Sequence, residues 1–272
     1  MNITAKILIL TISMDAAKIA RENAFGLEIS EFCTAYNMDM DFAHWDQGVR
    51  QKIAGMGQLV FHAPYNELCP AAIDPVIRDV SYGRYEQAYM LTHSYGVNKM
   101  IVHSGYMPQI YKPKWFIKRS ADFWSKFLED KPDDLQLCLE NVFEQTPELL
   151  MEIIAKVDDP RLKLCLDIGH AALNGTDVPL VGWIRQCAPH LAHTHLHNNF
   201  GKDDTHNALN EGNIDVAAAI RQIILAAPDA TLTIEALDSR SSVKWLKAQG
   251  FMRNTRVANE PDGSKHEIYF GT

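Results

Sequence analysis

No run of eighteen or more apolar residues occurs in the 272-residue chain, so a bilayer-spanning helix is not expected. The short apolar stretch in MNITAKILILTISM has no Ala-x-Ala site after it and reads as a first strand rather than a secretory leader. The chain has no Cys-x-x-Cys pair, and its five cysteines (Cys33, Cys69, Cys138, Cys165 and Cys187) are odd in number. Cys138 and Cys165 fall in apolar runs, which suits buried free thiols in a reducing, cytoplasmic setting. Basic tracts are missing too. Scattered Lys and Arg number 26 against 34 acids, for a net charge of −8. Such a field repels polyanions, which disfavours nucleic acid as a partner unless bound divalent cations reverse the local potential. There is no glycine-rich dinucleotide fingerprint, no phosphate-loop lysine and no Gly-x-Ser-x-Gly nucleophile elbow.

What the chain has instead is a regular alternation of short apolar runs and longer helical patterns. KILILTI, GLEISEF, QLVFHAPY, KMIVHSGY, LQLCLENV, KLCLDIGH, LAHTHLHNN and TLTIEAL read as eight strands. Helical patterns separate them, among them 41–54, 75–95, 113–129 and 179–187. Asp74-Pro75 and Thr146-Pro147 each predict an N-cap followed by proline at the first helical position. Nearly continuous apolarity along the strands indicates burial on both faces, and strand–helix alternation indicates a parallel sheet. Eight such units in about 250 residues predict an α/β fold, a single-domain (β/α)8 TIM barrel over residues 1–251, with a polar tail at 252–272.

Polar residues gather where these strands end: His62, His103, Glu140, Asp167, His195 and Glu235. That rim of a parallel barrel is where active sites lie. Asp167 and His170, three apart in LDIGH, are good ligands for zinc or manganese. In HTHLHNN, residues two apart share a face, so His193, His195 and His197 point one way and His190 stands outside the set. His195 is the metal candidate of the three; the others read as packing or hydrogen-bonding residues. Asp204 and His206 form an Asp-x-His pair suited to a second or third ion, with a solvated acidic loop as the rival reading. Glu140 and Glu235 sit in apolar strands that offer no basic residue to neutralise them. A buried carboxylate is costly unless it is paired, hydrogen-bonded or metal-bound, so a metal is expected there. The same logic applies less strongly to His62 and His103, since one hydrogen bond satisfies a neutral imidazole. Each residue alone has a bland reading; their convergence at one end of a barrel argues for chemistry.

With these residues in place, the chain resembles the xylose isomerase-like TIM-barrel superfamily, which joins sugar isomerases and ketose epimerases to endonuclease IV-type AP endonucleases. HAPY, VHSGY, LEN, LDIGH, HLHNN, DDTH, NEGNID and TIEAL occur in the family's order over about residues 20–240. The resemblance to the endonuclease branch implies three ions, usually zinc, on nine ligands: His62, His103, Glu140, Asp167, His170, His195, Asp204, His206 and Glu235. The resemblance to the epimerase branch implies one divalent ion on Glu140, Asp167, His195 and Glu235. The two glutamates are then also the acid/base pair, and His170 contacts substrate. Departures are Asn198 where the family often has Asp, Asn210 in place of the first glycine of a Gly-Glu-Gly, and Gly201 where ketose epimerases carry an arginine.

Three functions follow as expectations. The first is a divalent-metal-dependent sugar, sugar phosphate or polyol isomerase or epimerase. It would work by proton transfer through an enediolate, with Glu140 and Glu235 catalytic and Tyr65, His103 and His170 orienting a small carbohydrate. The ion would be zinc, manganese, magnesium or cobalt, one to three per chain. The second is a trinuclear-zinc phosphoesterase of the endonuclease IV type, with Glu140 shared between two ions. The third is a non-catalytic sugar-binding barrel. No membrane partner is expected; a homo-oligomer is allowed.

Overall fold

In this computed structural model, which describes residues 1–173, 178–236 and 238–252, eight parallel strands close on themselves in chain order. They are β1 (Ile7–Leu10), β2 (Gly26–Ile29), β3 (Leu59–His62), β4 (Lys99–His103), β5 (Gln136–Glu140), β6 (Leu162–Asp167), β7 (Leu191–Leu196) and β8 (Thr231–Ile234). Pairing of β1 with β8 as well as with β2 completes the ring. The expected TIM barrel is therefore the observed fold.

The alternation of side chains in each strand makes two cores. Outward residues such as Ile9, Leu27, Phe61, Val102, Leu139, Leu166 and Ile234 join the large apolar layer beneath the helices. Inward residues Leu8, Val60, Ile101, Cys138 and Cys165 form a small separate plug inside the barrel. Each large plug side chain contributes roughly 1.5–3 kcal/mol by leaving water. Register then places Glu28, His62, His103, Glu140, Asp167 and His195 on the same inward face, further along their strands. The plug is thus the floor on which the polar residues stand.

The helices are α1 (Ala16–Asn23), α2 (Tyr36–Asp39), α3 (Phe42–Ile53), α4 (Pro75–Ser94), α5 (Pro113–Leu128), α6 (Glu148–Val157), α7 (Ile168–Leu173), α8 (Leu180–Cys187), α9 (Val216–Ala226) and α10 (Ser239–Ala248). Asp74 caps α4 as expected, accepting from the Val76 N–H at 2.8 Å with Pro75 in the first turn. The Thr146-Pro147 expectation is off by one residue. Pro147 itself occupies the N-cap, the helix starts at Glu148, and no side chain caps it. The alternation pattern also missed the two shortest helices, α2 and α7. Both are too brief to show a 3.6-residue period. Met252 is buried; the rest of the expected tail, 253–272, lies outside the described residues.

Candidate metal centre and active site

The six expected rim residues stand at or beside strand ends. His62, His103, Glu140 and Asp167 are the last residues of β3 to β6. His195 is the penultimate residue of β7, and Glu235 follows β8 directly. The other three arrive by local turns. The Asp167 carboxylate accepts the His170 N–H at 2.7 Å, which starts α7 and folds His170 back over the rim. Asp204 and His206 come from the loop after β7. His206 adopts a left-handed backbone (φ 45°) and lies with its Nδ1 2.9 Å from the Glu235 carbonyl. Asn198 braces that loop. Its amide donates to the carbonyls of Leu209 and Ile214, while its Oδ1 accepts from the N–H groups of Asn199 and Ile214. An aspartate at 198 has no donor for the two carbonyls, which gives the asparagine a physical reason. Gly212 is required beside it, since a Cβ there would lie 2.2 Å from Asn198 Oδ1.

At the centre, one ligand atom each from Glu140, Asp167, His195 and Glu235 falls within 4.8 Å of the others. His195 Nδ1 is 3.0 Å from Glu140 Oε1, 3.0 Å from Glu235 Oε2 and 3.9 Å from Asp167 Oδ2. The opposite ring nitrogen, Nε2, lies 3.0 Å from Glu28 Oε1. An ionised carboxylate only accepts, so Glu28 calls for a proton on Nε2. The neutral tautomer then aims the bare Nδ1 lone pair at carboxylate oxygens. Only a proton or a metal cation at that point satisfies the arrangement. Among the described residues, buried Glu140 Oε2, Asp167 Oδ2 and Glu235 Oε2 have no hydrogen-bond partner, and buried polar atoms without partners are rare. Carboxylate oxygens plus one imidazole, held by a carboxylate behind the histidine, form a donor set suited to zinc or manganese. The residues fit a divalent ion.

Two further groups adjoin this one. His62 and His103 bring Nε2 atoms to 3.4 and 3.5 Å from Glu140 Oε2, so Glu140 belongs to both groups. On the other side, His170, His197, Asp204 and His206 form a four-residue cluster. Asp204 Oδ2 lies 3.1 Å from both His170 Nε2 and His206 Nε2. All nine expected ligands therefore come together.

The electrostatics follow from this crowding. Burial raises the cost of charge on Glu140, yet His195, His103 and His62 hold its carboxyl well below the usual range. Burial outweighs the neighbouring glutamates at two histidines, driving His103 down to about 3 and His193 down to about 4. For His206 burial also disfavours charge, but Asp204 and the neighbouring acids lift it to about 9. No basic residue lies within the strands of the two glutamates, as expected; histidines from other strands surround Glu140 across the barrel.

Sequence reasoning missed one residue. Glu28, fully buried on β2, holds His195 through Oε1 and accepts from His193 Nε2 (3.0 Å) and Thr233 Oγ1 (2.5 Å) through Oε2. An acid inside the apolar run GLEIS was the available signal. His197 points elsewhere than at the centre shared by Glu140 and His195. Its Nε2 lies 3.1 Å from Asp167 Oδ1 and its ring stacks on His206 at 4.0 Å. His193 hydrogen-bonds within the barrel, to Thr231 and Glu28.

Beside the candidate ligand groups lies a cavity of about 380 Å³, lined by Tyr65, Met107, Phe143, His103, His170, Asp204, His206 and Glu235 among others, with no Lys or Arg among the described residues. Tyr65 stacks on His103 at 4.2 Å. Among the described residues no helix is long and apolar enough to cross a membrane.

Comparison with known proteins agrees with this architecture. The chain is 28% identical over 220 residues to the uncharacterized protein MJ1311 of Methanocaldococcus jannaschii, covering 78% of this chain and 74% of the relative. A D-tagatose 3-epimerase-like protein superposes with TM-score 0.73 at 23% identity, over 90% of this chain and 96% of the other. The TTHB071 protein of Thermus thermophilus, soaked with zinc chloride, gives 0.72 at 22% identity, over 91% and 99%. An L-ribulose 3-epimerase gives 0.66 at 19%, over 92% and 88%. These likenesses establish the fold. A family model described as xylose isomerase-like TIM barrel matches residues 15–255, and the chain belongs to that family.

Proposed function

We propose that the chain is a divalent-metal-dependent carbohydrate isomerase or epimerase that moves a proton between substrate and protein at a carbon next to a carbonyl. The observation that carries this reading is the group of Glu140, Asp167, His195 and Glu235, with three carboxylate oxygens that accept no hydrogen bond from the described residues, opening beside a small cavity whose described lining has no lysine or arginine. Such a pocket suits a compact, uncharged polyhydroxylated substrate. A divalent ion on these four residues supplies Lewis-acid polarisation of substrate oxygens.

The chain's own residues do the rest. Glu140 and Glu235 reach the site from β5 and the end of β8. Each has a second oxygen that can hold or deliver a proton while the first faces the ligand group. The Tyr65–His103 stack forms an aromatic wall for a sugar face, and His170 lines the same cavity. That the structural neighbours include a D-tagatose 3-epimerase-like protein and an L-ribulose 3-epimerase supports the reaction class.

The test is solvent exchange. Metal-reconstituted protein is incubated with a panel of ketoses, aldoses and their phosphates in deuterated water and followed by NMR. Deuterium should enter at the carbon beside the carbonyl of an accepted sugar. No exchange on any sugar in protein of verified metal content would overturn the proposal.

A second reading has its own observation. The His62–His103–Glu140 and His170–His197–Asp204–His206 groups flank the central one, which suits a trinuclear-zinc phosphoesterase of the endonuclease IV type. Release of phosphate from phosphoesters, or cleavage of abasic DNA, by the same preparation would favour it.

A further inference from the structure

The first turns of α4 carry apolar side chains on both faces. Its buried positions are Ser81, Tyr85, Ala88 and Thr92. Its solvent side carries Val76, Ile77 and Val80, which are 64%, 45% and 52% exposed, preceded by Ile73 at 66%. A surface helix normally turns its apolar stripe inward. Helix propensity does not explain the choice, because β-branched residues are weaker helix formers than Ala, Glu or Lys. The stripe also continues sideways. The bidentate Asp39–Arg84 ion pair, at 2.8 and 2.6 Å, ties α2 to the same face one turn beyond Val80. It sets Tyr36 and Met40, 66% and 50% exposed, alongside.

We infer that this α2–α4 face is the contact between two copies of the chain, in an isologous dimer. Two observations choose that occupant. The six side chains expose on the order of 700 Å², more than the largest patch of an ordinary monomer and close to the share of one partner in a stable interface. Around them stand Asp39, Asp74 and Asp79 with Arg78 and Arg84. That mixed rim suits a like-charged copy of a chain carrying −8, because both signs are available on each side of a twofold axis. Gly83 is open on the same helix, with nothing within 4 Å of an added Cβ. The face lies on the outside of the barrel and is independent of the reading of the metal centre.

The test is sedimentation velocity of the full chain over a concentration series reaching about 100 µM, with thermal unfolding to confirm folding. Wild type is expected to run as a dimer. The double variant Val76→Glu/Val80→Glu should shift the dissociation constant upward by about 100-fold or more, since like charges then face each other across the axis. Leu225→Glu, at a 77% exposed site on α9, serves as the control and should leave the dimer intact. Wild type that stays monomeric throughout overturns the inference. So does a dimer that survives the double variant, or one that Leu225→Glu dissociates.

Discussion

Glu28→Gln tests whether the barrel interior sets the chemistry of the metal centre. Glu28 accepts from His195 through one oxygen and from His193 and Thr233 through the other. Burial opposes its charge, but the two histidines keep its carboxyl well below the usual range. Glutamine has nearly the same shape, yet one arm becomes an NH2 donor. If that arm faces His195, the histidine must move its proton to Nδ1, the nitrogen that faces Glu140 and Glu235. Ligation by Nδ1 is then lost. If it faces the other way, the clash falls on His193 and Thr233 instead. Removing a second-layer partner of a ligating histidine typically weakens metal binding 10- to 100-fold, or about 1.4–2.7 kcal/mol. An unsatisfied buried donor costs about 1–3 kcal/mol of folding stability. The assay is competitive zinc titration against a chromophoric chelator, with thermal unfolding of the metal-free forms alongside. Glu28→Asp retains an acceptor-only carboxylate and should recover part of the affinity. A folded Glu28→Gln protein that binds zinc within twofold of wild type would refute the reasoning, because the His195 tautomer would then not depend on Glu28.

Three further outcomes are expected. Glu140→Gln should reduce turnover below detection while circular dichroism shows an intact barrel; full activity in that variant would remove Glu140 from the site. Gly169→Ala should destabilise the protein by several kcal/mol or expel His197, because the new Cβ would lie 1.9 Å from the His197 ring; unchanged thermal stability and metal content would contradict that packing. His206, raised to about 9 in the metal-free protein, should lend stability that is fully present below its unfolded value near 6.5 and lost as pH rises through 9. Its contribution is roughly 1–2 kcal/mol after screening, to be read as a falling unfolding temperature of the apo protein between pH 6.5 and 9.5, which His206→Asn should flatten.

How much of this was legible in the sequence depends on the range of the interaction. Strands and their order were readable because continuous apolar runs and alternating helices are local patterns, and parallel connection rules leave few ways to close eight units. The rim ligands were readable because a polar residue ending an apolar run is also a local anomaly. Glu28 escaped because its partners are His193 and His195, 165 and 167 residues away and on the far side of the lumen. The criterion that selected Glu140 and Glu235, an acid in an apolar strand, would have selected it too. His197 was read only as a packing or hydrogen-bonding residue; it does hydrogen-bond Asp167, but its place beside His170, Asp204 and His206 depends on loops that the strand pattern does not register. The histidines around Glu140 were not legible from its own strand, because in a closed barrel the neighbours of an inward side chain come from across the interior.

Charge balance links the number of ions to the nature of the substrate. Glu28, Glu140, Asp167, Asp204 and Glu235 bring five negative charges to one region when ionised. Glu28, Glu140 and Asp167 are within 1% of full burial, and among the described residues the adjoining cavity has no lysine or arginine. With one divalent ion on the central four residues, only His195 must be neutral, and His62, His170 and His206, which their acidic neighbours favour in the protonated form against the cost of burial, can offset the three remaining negative charges. Three ions require all of these imidazoles neutral and overshoot by one, and an anionic substrate would then restore neutrality. A neutral sugar is thus matched by one ion and a phosphoester by three, so metal content measured with and without bound substrate discriminates between the two readings of this site on grounds separate from either activity.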